Sequence, residues 1–158
     1  MKKGINKSGQ LIFLILLLSS CGKNVVFTDS VSMKGNTWGV SDVASFDFQV
    51  KDTVTSNSIF FIIRTGTSYP YRNIYLFVTT TAPGGNSITD TLQYDLADGK
   101  GNWYGKGFGD IHELDLPYKT NVFFPSSGSW QIRVQHGMRI EDLKGVYDFG
   151  LMIEKNMK

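Results

Sequence analysis

Trp130-Gln131-Ile132-Arg133-Val134-Gln135-His136 alternates without a break. Strand side chains repeat every two residues. Trp130, Ile132, Val134 and His136 therefore share one face, and Gln131, Arg133 and Gln135 share the other. An apolar row backed by a polar row is a strand with one face in a core and one in water. The same grammar runs outward along the chain. Phe46-Asp47-Phe48-Gln49-Val50 alternates, and Ile74 to Thr81 is aromatic and β-branched. Ile88 to Leu96 sets Ile88, Leu92, Tyr94 and Leu96 on one face. Ile59-Phe60-Phe61-Ile62-Ile63 is continuously apolar, which predicts a strand covered on both faces. Val122-Phe123-Phe124 and Tyr147 to Glu154 complete the set, with turns at Pro83-Gly84-Gly85-Asn86 and Pro125-Ser126-Ser127-Gly128. Only Arg139 to Lys144, stopped by Gly145, reads as one or two helical turns.

Short strands between Gly, Pro and Ser turns predict an all-β, two-sheet antiparallel sandwich. Jelly-roll-like winding is preferred to an immunoglobulin-like one. The expected organisation is a leader over 1–20, a linker or first strand over 21–33, and the sandwich over 34–158. That length buries a substantial core.

The leader reads from Met1-Lys2-Lys3 through the apolar run Leu11 to Leu18 to Ser19-Ser20. Basic, apolar and small-residue regions in that order form a secretion signal. The run is too short to span a bilayer, which takes about 20 apolar residues. Leu18-Ser19-Ser20-Cys21 resembles the bacterial lipobox, in which the cysteine becomes the acylated first residue of the mature protein, carrying diacylglycerol and commonly a third chain such as palmitate. Two or three acyl chains hold a protein stably where one does not. Cys21 is the only cysteine, so the fold has no disulfide and rests on burial. The 158 residues carry 16 basic and 14 acidic side chains. Lys2, Lys3 and Lys7 leave with the leader, so 13 basic residues then face 14 acidic. No basic cluster marks a nucleic-acid surface.

The segment Gly99 to Gly109 has glycine spacings like those of phosphate loops, but such loops feed a helix and no helix pattern follows. Two readings stay open for its aromatic residues Trp103, Tyr104 and Phe108. They pack back onto the core, or they form a contact surface for a partner or ligand. His136 reads as a core or edge histidine, and His112 is too isolated for a metal site. Asp90, Asp95 and Asp98 match no calcium loop and read as solvated. No serine sits in a Gly-x-Ser-x-Gly elbow. No enzyme, metal or cofactor is expected; hydrolysis would need two carboxylates converging in a cleft.

Asn36-Thr37-Trp38, Tyr69 to Leu76, Asp90-Thr91-Leu92, Trp103 to Asp110 and Leu143 to Lys155 stand in an order, behind the lipobox, that resembles the gliding-motility lipoprotein GldH family of the Bacteroidetes. The resemblance runs from the lipobox to the C-terminus. It implies a membrane lipoprotein needed for gliding, alongside the secretion apparatus that exports motility adhesins, with protein partners there and no catalytic residues. Members in non-gliding species imply a broader role in envelope assembly. Gly22-Lys23-Asn24 lacks both the acidic run that resembles a surface-export signal and the aspartate that favours inner-membrane retention. The expected address is the outer membrane, facing the periplasm. The competing reading is a glycan- or peptidoglycan-binding module, with Trp103, Tyr104 and Trp130 as stacking rings.

Overall fold

The computed structural model describes residues 24–156. Eleven strands follow in chain order: β1 (Val25–Ser32), β2 (Thr37–Gly39), β3 (Ala44–Val50), β4 (Asn57–Gly66), β5 (Asn73–Thr81), β6 (Ser87–Asp95), β7 (Lys106–Phe108), β8 (Ile111–Val122), β9 (Gly128–His136), β10 (Asp142–Lys144) and β11 (Val146–Lys155). They form a five-stranded sheet in the order β1-β11-β4-β8-β7 and a four-stranded sheet in the order β3-β9-β5-β6. A two-stranded ribbon, β10-β2, stands apart. All pairings are antiparallel. Among the eight long strands only β5 and β6 are joined as a hairpin. Every other connection between them crosses to the opposite sheet, so the winding is jelly-roll-like.

The alternation in β9 does what its period demands. Trp130, Ile132, Val134 and His136 are buried. Ala44, Phe46, Phe48 and Val50 of β3 and Ile74, Leu76 and Val78 of β5 join them from the same sheet. Ile59, Phe61 and Ile63 of β4 and Phe149, Leu151 and Ile153 of β11 face them from the other. Each such side chain contributes about 1.5–3 kcal/mol on burial.

Polar groups clasp the sheets along one side. Tyr118 Oη donates to Asp90 Oδ2 at 2.7 Å, and Tyr94 Oη donates to the Pro117 carbonyl at 2.9 Å. Both bonds join β8 to β6. Lys119 reaches Asp90 at 3.0 Å. The Tyr118 bond, then Lys119, hold the Asp90 carboxyl below the usual carboxylate range. Desolvation pushes the Tyr94 phenol up to about 12.

Three expectations need correction. The apolar run 59–63 is covered on one face only: Phe60 and Ile62 are half-buried on the outside of their sheet, which no further layer of the described residues covers. Residues 139–144 form no helix. Leu143 pairs with Trp38 across the ribbon, and both are fully buried, so tertiary pairing overrides a weak helical pattern. The strand around Val122 ends there: Asn121 has φ of 54°, Phe123 turns out to solvent and Phe124 turns into the core.

Candidate functional site

The layout has two ends. The near end gathers Asn24, the loops 51–56, 82–86 and 123–127, and Asn156. Lys155 N donates to the Asn24 carbonyl at 2.8 Å, and Asn156 N to that of Ser56 at 3.0 Å. The far end gathers residues 33–43, 67–72, 96–110 and 137–145. Strands rise about 3.3 Å per residue, so a ten-residue strand such as β4 separates the ends by about 30 Å.

The glycine-rich segment sits at the far end as a small hairpin. Ala97 bridges Trp103. Asp98 holds the turn, accepting from Lys100 N at 2.7 Å, Asn102 N at 2.9 Å and Asn102 Nδ2 at 2.8 Å. The Asn102 side-chain bond, then its backbone bond, lower the Asp98 pKa. Leu96 N donates to the Arg72 carbonyl at 2.7 Å, tying the hairpin to the connection between β4 and β5. Gly105 lets the segment lie against β8, since a Cβ there would meet the Glu113 carbonyl. β7 then pairs with β8, so the segment leads into a strand.

Trp103 is half-buried between two rings. It stacks on His112 at 5.2 Å and 12°, and meets Tyr69 edge-on at 6.0 Å. Tyr69 is itself buried, donates to the Asn73 carbonyl at 2.8 Å, and touches Tyr71 at 6.1 Å. Burial raises the Tyr69 pKa, and Tyr71 adds to the rise. Tyr104, the next residue, is 59% exposed. Phe108 lies on β7 opposite Ile111. Trp130 is buried at the other end, edge-on to Phe124, with its Nε1 donating to the Ser126 carbonyl at 3.0 Å. Trp103, Tyr104 and Trp130 therefore share no face, and the three-ring sugar platform is not formed.

His136 is fully buried beside Trp38, ring centroids 5.7 Å apart. Burial pushes its pKa down, while backbone groups of Glu141 and Trp38 and the Asp142 carboxylate oppose the shift. Neither ring nitrogen makes a well-formed hydrogen bond. Asp90, Asp95 and Asp98 do not converge: Asp90 serves the clasp and Asp98 its own turn. Glu113 and Asp148 meet on Arg64, at 2.9 and 3.4 Å, on the open outer face of the five-stranded sheet. Among the described residues no group of His, Cys, Asp or Glu is placed to hold a metal ion. Nor is any helix there long and apolar enough to cross a membrane. Cys21 lies outside the described residues.

The outer face of the four-stranded sheet holds a patch that strand patterning did not single out. Tyr75 and Phe77 point outward from β5, 39% and 44% exposed. Tyr71, Asn73, Met138 and Arg139 line a groove beside Tyr75. The signal was present: aromatic residues occupy the outward positions of β5, where polar ones are usual.

Fold and far-end cluster together define a class, an antiparallel jelly-roll-like β-sandwich with an aromatic stack at one end. The model of the GldH lipoprotein family matches residues 25–153, and the chain belongs to that family. It is 34% identical to the gliding motility lipoprotein GldH of Flavobacterium johnsoniae, covering 96% of this chain and 98% of that one. It is 36% identical to a homologue of that lipoprotein in Christiangramia forsetii, over 92% and 93% of the two chains. The chain is thus of the gliding-motility lipoprotein kind. Among solved structures, a periplasmic inhibitor of g-type lysozyme from Salmonella Typhimurium covers 87% of this chain and 92% of its own at 16% identity. Its TM-score of 0.34 carries no inference.

Proposed function

We propose that acylated Cys21 ties this sandwich to the outer membrane, facing the periplasm, where it serves as a structural or assembly partner of the gliding machinery and its secretion apparatus. The two-ended layout carries the reading. The attachment point is three residues before Asn24, while Tyr104 stands at the opposite end. A large exposed ring on a braced loop is a typical anchor for a protein partner. The bracing is the Tyr69–Trp103–His112 stack, so little order is lost on binding. The chain supplies no catalytic step in this reading.

Tyr104→Ala in the only genomic copy is the test. Loss of such an anchor weakens binding by about 2 kcal/mol, roughly thirtyfold. Colony spreading and recovery of partners from crosslinked envelopes should fall, with unchanged circular dichroism of the purified protein. Normal spreading with an intact fold contradicts the reading.

Tyr75 and Phe77 favour a second reading, a glycan-binding face. Neighbouring outward rings on a sheet suit stacking against sugar rings. A Tyr75→Ala, Phe77→Ala double change should then abolish sedimentation with isolated peptidoglycan, and unchanged sedimentation removes this reading.

A further inference from the structure

Five hydrophobic side chains among the described residues are more than half exposed. Four belong to the near end: Val54 at 84%, Phe123 at 60%, Ile88 at 57% and Val26 at 51%. The fifth is Tyr104. They sit in or beside three different loops and the start of β1, so the fold brings them to one surface. That surface carries Lys51, Asp52, Glu154 and Lys155, which sum to no net charge. Loops 51–56, 82–86 and 123–127 contain only Lys51 and Asp52, and Asp52 is paired with Lys155 at 2.7 Å. The far-end loops carry Lys34, Asp42, Arg72, Asp98, Lys100, Asp110, Arg139 and Glu141. A cleft of about 440 Å³ also opens at the near end, its apolar wall including Phe27, Phe48, Phe124 and Ile153 and its polar side the paired Asp52 and Lys155.

We propose that the near end is a membrane-contact face, with Val54 and Phe123 seated in the headgroup layer and Val26 and Ile88 beside them. The proposal rests on anchoring through Cys21. Asn24 lies three residue steps beyond Cys21, and a chain extends at most about 3.6 Å per residue. The near end therefore cannot leave the bilayer by more than roughly 11 Å, one Debye length. An apolar surface without net charge held that close loses its hydration to the interface, as amphipathic surface segments do. The strands then stand up from the membrane and Tyr104 points away from it.

The test uses the mature lipidated protein, purified from membranes and carrying Val54→Cys, Phe123→Cys or Tyr104→Cys. Acylation of Cys21 leaves the new thiol as the only one to label with an environment-sensitive fluorophore. The probe system is vesicles of phosphatidylethanolamine and phosphatidylglycerol, with and without nitroxide-bearing lipid. Labels at 54 and 123 should shift to the blue, and nitroxide lipid should roughly halve their emission, while the label at 104 stays unchanged. Vesicle-bound protein with all three labels equally hydrated overturns the contact face and leaves anchoring intact. Labels at 54 and 123 that are dehydrated yet unquenched show a protein contact instead and overturn the proposal. Protein that does not float with the vesicles overturns both readings.

Discussion

Gly145 joins three parts of the far end. Its N–H donates to the Asn36 carbonyl at 2.9 Å, and its own carbonyl accepts from Gly66 N at 2.8 Å. Its φ is 79°, and a Cβ there would run into the backbone of Tyr69. Gly145→Ala therefore combines a left-handed conformation with a clash that no side-chain rotation relieves. We expect a loss of about 2–4 kcal/mol in urea unfolding. Gly35→Ala, at φ of 63° in open space, should cost only about 1 kcal/mol. Equal losses would contradict the close approach. His136 supplies the pH counterpart. Its pKa is lowered in the fold, so the unfolded chain takes up the proton first. The stability it supports is complete above the ordinary histidine value of about 6.5 and is lost as pH falls below it. Asp148 acts with the opposite sign at lower pH, because burial raises its carboxyl pKa. Thermal melts from about pH 7.5 to 5.5 should slope downward in the parent and flatten in His136→Leu. A slope that survives the substitution assigns the effect elsewhere.

At the scale of elements, β9 gives the sharpest test. Val134 is fully buried and Arg133, next to it, is exposed. Val134→Asp should cost about 3–5 kcal/mol, a large share of a total near 5–15 kcal/mol, and Arg133→Ser almost nothing. Equal thermal shifts would mean that the faces are reversed. Tyr118→Phe should cost about 1–2 kcal/mol by removing its bond to Asp90 from the inter-sheet clasp. β3, β9 and β11 were legible because each lays one apolar row on a core, and period two survives in sequence, while β5 was legible from its aromatic and β-branched composition. β8 was not, since Pro117 interrupts it. The structure accommodates that proline at a register shift, where Phe60 faces Pro117, Ile59 faces Lys119 and Tyr118 is the extra residue. β2 and β10 were illegible for a different reason. Each is three residues long, and they find each other across about a hundred residues of sequence.

For the whole molecule, the two-ended layout was not legible in the sequence. That Tyr104 and Val54 stand at opposite ends follows from which loops the sheets gather together, and no local pattern carries it. The Tyr69–Trp103–His112 stack is likewise invisible in sequence, because it brings the β4–β5 connection against the β6–β7 connection and the start of β8. All of the functional reading hangs on which end is tied down. The most direct measurement is mass spectrometry of the mature amino terminus, with membrane fractionation of the parent and of Cys21→Ala. The account predicts an N-terminal Cys21 bearing acyl chains in the membrane fraction, and a soluble Cys21→Ala protein with its fold intact. An unmodified amino terminus, or a Cys21→Ala protein that stays bound to membranes, would contradict it.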